Sequence, residues 1–311
     1  MPAEAETALG ASYKARDVEG FLDLHFYRKI GYQLALLFSK LRMTPAQVTL
    51  CGGALGIAAG HFYYYRDLRL NLLGMLLHIL SNAFDNADGQ LARLTKRGSR
   101  TGRALDGLAD NLVFISVYAH LCLRYAAGGG SQLVWLLAFA AGASHSLQSA
   151  AADYFRNAYL YFVEGKERAE LDSSDSLEKE FDRLSWRDQP SKKLLLRLYL
   201  NYTRVQEWLA PRLDQLKRAT AQTDDVAIAQ SYRESSRPLI TWLNLLATNP
   251  RMILLFVLLF AGQPTWYFVV ESTAGNLLLL LLLRREDAIC DRILAGVAVE
   301  RTNSLAQPAV D

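Results

Sequence analysis

The sequence predicts an all-α integral membrane protein: a six-transmembrane-helix bundle with an N-terminal interfacial amphipathic helix and a helical cytoplasmic insertion. Three observations carry this. Apolar blocks of about the 20 residues a span requires recur along the chain. The charged residues, 21% of 311, are concentrated between Asp153 and Arg237, so a mean hydropathy of only +0.06 averages two unlike populations. Lysine and arginine also favour alternate connections, the pattern of the positive-inside rule.

The elements follow in order. Residues 1–43 hold a polar tail, with no apolar stretch or cleavage site of a signal peptide, and then EGFLDLHFYRKIGYQLALLFSKLR, whose apolar side chains recur at helical spacing opposite Arg28, Lys29, Lys40 and Arg42. Residues 44–152 hold spans one to four. Thr44 and Pro45 make a good helix start, and TPAQVTLCGGALGIAAGHFYYY carries no charge and ends in an aromatic belt. Span two, LNLLGMLLHILSNAF, must run on through Asp85 and Asp88 to reach bilayer length. Span three, from about Ala104, begins with Asp106 and Asp110, and span four follows the AAGGGS turn. Residues 153–237 form the charged insertion, whose stretches SDSLEKEFDRLSW and KKLLLRLYLNYTRVQEWLAPRLDQLKR both read as amphipathic helices. Residues 238–285 hold spans five and six around a tight GQPT hairpin, with Glu271 and Asn276 facing the bundle. Residues 286–311 read as a cytoplasmic tail. The basic connections place both termini and the aspartates in the cytoplasm, at the inner membrane if the source is bacterial.

Net charge of +3 is too mild for a nucleic-acid partner and suits a membrane surface. Cys51, Cys122 and Cys290 lack metal-ligand spacing and read as small hydrophobes in a reducing compartment. His120 and His145 read as interhelical hydrogen-bonding groups.

The chemistry is concentrated in DNADGQLARLTKRGSRTGRALDGLAD. Asp85 and Asp88 are three apart and Asp106 and Asp110 four apart, so on two helices each pair projects from one face. Four carboxylates aimed at one point repel unless divalent cations compensate them, which predicts Mg²⁺ or Mn²⁺, two ions. Gly89, Ala92 and Gly102 leave the helix surface bare for a ligand, and Arg93 is a cation suited to a diphosphate. Lys96 and Arg97 read as interfacial charges; Arg100 and Arg103 read equally as pocket cations or as interfacial charges.

This stretch resembles the signature of the CDP-alcohol phosphotransferases, D-x₂-D-G-x₂-A-R-x₈-G-x₃-D-x₃-D, at Asp85, Asp88, Gly89, Ala92, Arg93, Gly102, Asp106 and Asp110. Thr44-Pro45 with Thr49 is similar to that family's TPN-x-x-T segment, with Ala46 in place of the asparagine. The resemblance implies transfer of a substituted phosphate from a CDP-alcohol to an acceptor hydroxyl with release of CMP; six spans rather than a longer set favour CDP-diacylglycerol as that donor. It implies that Asp85, Asp88 and Asp106 ligate metal, that Asp110 shares in ligation or acts as base, and that Gly89, Ala92, Arg93, Gly102, Thr44 and Pro45 line the CDP site. It also implies a homodimer. Arg28, Lys29 and Arg156 are candidate cations for a phosphate-bearing acceptor. Two rivals stand beside it: a choline- or ethanolamine-type enzyme with diacylglycerol as acceptor, and a divalent metal transporter.

Overall fold

The computed structural model describes residues 18–165, 169, 171–221 and 226–306; residues 1–17 of the expected N-terminal tail, a few positions of the insertion and the last five residues lie outside them. Among the described residues the regular structure is helical throughout. A π-helical turn, Asp23–Tyr27, leads into α1 (Arg28–Lys40). Then come α2 (Pro45–Phe62), α3 (Leu68–Leu94), α4 (Arg100–Ala127) and α5 (Val134–Val163). The charged insertion supplies α6 (Ser174–Arg183), α7 (Pro190–Leu209) and α8 (Pro211–Ala219). Last are α9 (Val226–Leu243), α10 (Thr248–Phe260), the short α11 (Trp266–Val270) and α12 (Asn276–Ala306), the last two joined by a π-helical turn at Glu271–Gly275.

Helix α2 is built to lie close to its neighbours. Thr44 accepts the Gln47 N–H while the Gln47 side chain accepts the Thr44 N–H, a reciprocal cap, and Pro45 occupies the first helical position. A Cβ at Gly56 would meet Val113 Cγ2 at 2.5 Å, and one at Gly60 would meet the Val117 backbone nitrogen at 2.8 Å. Those glycines therefore let α2 and α4 approach almost backbone to backbone. On the other side of α3, Gln90 donates to the Arg28 carbonyl at 3.1 Å, which seats α1 across the carboxylate-bearing half of that helix.

Two segments, Val226–Phe260 and Trp266–Ala298, are long and apolar enough to cross a membrane. The four helices expected as spans one to four have 18 to 30 residues, but their glycines and polar residues dilute their apolarity. Several sequence boundaries differ from the helices, and one of them is the expected boundary at 237/238, which α9 crosses without a break. α5 passes through residue 153 without a break and ends at Val163. The expected single helix over 192–218 divides at Ala210, because Pro211 has no N–H to continue it and instead starts α8. α12 remains helical to Ala306, over most of the expected tail.

Buried polar groups tie the later helices to α5. Arg251 Nε lies 3.3 Å from Glu271 Oε1, both nearly sealed from solvent. The same guanidinium donates to Gln148 and Ser149, and lies 3.1 Å from His145 Nε2. Asn276 donates to Ser144 and accepts from Gln148. Glu271 and Asn276 thus face the inside of the bundle.

Candidate functional site

The site forms where the C-terminal half of α3 meets the N-terminal half of α4. Lys96 (φ 53°) turns the chain out of α3 in the left-handed region, with the Arg97 N–H bonded to the Ala92 carbonyl at 2.9 Å. Ser99 then caps α4 by accepting the Gly102 N–H at 3.0 Å. A Cβ on Gly102 would stand 3.1 Å from that cap oxygen, so the glycine keeps the cap uncrowded.

This short reversal brings Asp85, Asp88 and Asp106 together: one carboxylate oxygen of each lies within 4.8 Å of the other two. Asp88 is buried, with Asp85 and Asp106 half-buried. Thr49 donates to Asp88 Oδ2 at 2.5 Å and so fixes that carboxylate from α2. Asp106 Oδ1 is buried without a hydrogen-bond partner. Converging oxygen donors with one buried oxygen left over suit a hard divalent cation. Asp110, one turn further along α4, is exposed and does not share that 4.8 Å spacing, but its charge acts on Asp85, Asp88 and Asp106.

Beside the carboxylates the surface is bare. Nearest to a Cβ at Gly89 would be the Arg93 guanidinium, at 3.6 Å, and a Cβ at Gly107 would meet nothing within 4 Å. Arg93 thus lies along the glycine face of α3. Thr44 and Pro45 are taken up in opening α2; it is Thr49, one turn inside, that touches a carboxylate. Ala92 is half-buried on the last turns of α3.

The remaining cations divide. Arg28 pairs with Glu19 at 2.8 Å, and Arg156 donates to Asn244 at 3.2 Å, whereas Lys29 is exposed. Arg100 and Arg103 turn to the insertion, where both grip Asp172. Thr49 and Asp172 are the site neighbours that sequence reasoning left out of the candidate set. Thr49 carried a signal, since it lies one turn after Pro45 in the segment similar to TPN-x-x-T; Asp172 carried none.

Residues 42–159 match the family model of the CDP-alcohol phosphatidyltransferases, which bears out the resemblance drawn from the aspartate motif. Phosphatidyl transfer from a CDP-alcohol is the activity this family match points to. No curated protein matches the chain.

Proposed function

We propose that this protein is a multi-pass membrane enzyme that transfers the phosphatidyl group of CDP-diacylglycerol to the hydroxyl of an acceptor alcohol, releasing CMP. The observation that carries the reading is the convergence of Asp85, Asp88 and Asp106 beside the open Gly89 face and Arg93, within the segment that matches the family. In this reading α2 to α5, α10 and the helix from Trp266 are six spans, with the carboxylates at their cytoplasmic ends. A lipid headgroup and a polar acceptor meet there.

Asp85, Asp88 and Asp106 would hold Mg²⁺ or Mn²⁺, two ions. Bound metal supplies charge compensation for the diphosphate of the donor. Thr49 orients the Asp88 carboxylate. Gly89, Ala92 and Gly102 admit the cytidine diphosphate close to the backbone, and Arg93 pairs with its phosphate oxygens. The acceptor oxygen attacks the phosphorus that bears diacylglycerol, the bond from that phosphorus to the bridging oxygen breaks, and CMP departs with the electron pair. Asp110, exposed to the acceptor side, takes the hydroxyl proton; such proton transfer accelerates a reaction by about 10² to 10⁴-fold. A homodimer follows from family habit.

The test is CMP release by purified protein in nanodiscs with CDP-diacylglycerol, Mg²⁺ or Mn²⁺ and a panel of polar alcohols. CMP should appear with one acceptor and vanish with EDTA or in Asp106→Asn. Release only with CDP-choline or CDP-ethanolamine plus diacylglycerol transfers the protein to the choline-type reading. Metal flux into vesicles without CMP release transfers it to the transporters. Asp110→Asn should keep donor binding and lose turnover, whereas Asp88→Asn should lose both; equal loss of binding removes Asp110 from the role of base.

A further inference from the structure

The geometry points to Asp172 as a positioning residue that joins the charged insertion to the site, by holding Arg100 and Arg103 on the first turn of α4, immediately before Asp106. Asp172 Oδ1 accepts from Arg100 Nε at 3.0 Å and Nη2 at 2.7 Å, and Oδ2 accepts from Arg103 Nη2 at 2.6 Å and from the Tyr199 hydroxyl at 3.0 Å. Arg100 Nη1 reaches Glu180 at 2.7 Å, and Arg103 Nε reaches Tyr199 Oη at 3.3 Å. The carboxylate is 13% exposed, so water screens this cluster only in part.

Two physical arguments say what the cluster does. The first turn of α4 carries no acidic side chain, yet holds two arginines. Cations at a helix N-terminus oppose its dipole, and the missing counter-charge arrives from the insertion as Asp172. Arg100 has also spent each of its nitrogens on carboxylates of the insertion, which leaves Arg93 as the cation beside the bare glycine face. Arg100 is therefore committed to the insertion rather than to the diphosphate, and Arg103 shares Asp172 with it. Through Asp172 they hold the start of α4 and so set the approach of Asp106 to Asp85 and Asp88 across the reversal between the helices. Outer groups that orient metal ligands typically govern about 10 to 100-fold in metal affinity.

The consequence for catalysis rests on the functional reading above; the consequence for metal binding and helix order does not. Asp172→Asn is compared with the parent by Mn²⁺ titration under electron paramagnetic resonance, by hydrogen exchange along α4 and by donor KM and kcat. The expected result is about tenfold weaker Mn²⁺ binding, faster exchange at residues 100–106 with α2 unchanged, a raised donor KM and largely preserved kcat, with Asp172→Glu recovering part of each. A lowered donor KM would mean that the freed arginines bind the diphosphate, and would overturn the proposal. Unchanged exchange at residues 100–106 with the parent melting temperature would overturn it as well. Should Asp172→Asn fail to fold, Tyr199→Phe removes one bond to each of Asp172 and Arg103, and must shift the same readouts in the same direction. A parent that releases no CMP with any donor defeats the functional reading alone, because the exchange comparison still decides the role of Asp172.

Discussion

Thr49 shows how one hydroxyl determines what a carboxylate can do. Its 2.5 Å bond holds Asp88 in a buried position where a free rotor would point elsewhere. Thr49→Val keeps the shape and removes the donor; Mn²⁺ affinity should fall about tenfold, the scale on which outer hydrogen bonds tune metal sites, with little change in melting temperature. Arg251 and Glu271 make the opposite case, where the charge itself is the constraint. Removing one member of a buried pair leaves the other unpaired, at a cost of about 3 to 5 kcal/mol. Arg251→Met or Glu271→Leu alone should therefore melt well below the parent, and the double variant should recover much of the loss. A double variant as unstable as the sum of the singles would show that the pair is not coupled. The four motif aspartates were legible because their spacing is a property of the helix. Their split into a converging three and an exposed fourth was not, because the tilt between α3 and α4 decides which turn faces which.

At the level of elements, small residues let the site form. Gly60 lets α2 touch the α4 backbone, where a Cβ would lie 2.8 Å from the Val117 nitrogen. A backbone atom cannot turn aside as a side chain can. Gly60→Ala should cost about 1 to 3 kcal/mol, the range for overpacking, read as a lower unfolding temperature in detergent. The link between α4 and the insertion has a pH signature. Burial by itself would raise the Asp172 carboxyl, but hydrogen bonds from Arg100 and the charge of Arg103 overcome it and hold the group below the usual carboxylate range. A depressed carboxyl stabilises the folded state above the unfolded value, about pH 3.9. That stability is lost as pH falls through the lower folded value. The melting difference between parent and Asp172→Asn should thus be full at pH 7 and shrink on acidification below about pH 4. Helix existence was readable here from apolar periodicity, while the division at Ala210 turned on one proline whose local effect a long amphipathic pattern conceals.

For the whole molecule, the matched segment 42–159 and the rest of the chain are separate in sequence and interlocked in space. α5 belongs to both, since its 30 residues run from the bundle into the insertion without a break. At 1.5 Å per residue such a helix is about 45 Å long, longer than the roughly 30 Å apolar thickness of a bilayer. Composition could mark where charge begins, at Asp153, but a helix does not stop where polarity changes. Its backbone bonds are indifferent to the side-chain environment, so the boundary of the insertion is one of chemistry and not of secondary structure.

The grip of the insertion on α4 also orders events in time. Arg103 and Asp172 are 69 residues apart. At about 5 to 20 residues per second, a ribosome that has just made Arg103 needs roughly 3 to 14 seconds to reach that aspartate. Once Asp110 has followed, the chain contains every aspartate of the motif, while two arginines at the head of α4 still wait for their counter-charge. The centre is written early and completed late, so a chain interrupted within the insertion carries all the carboxylates without the groups that hold their second helix in register.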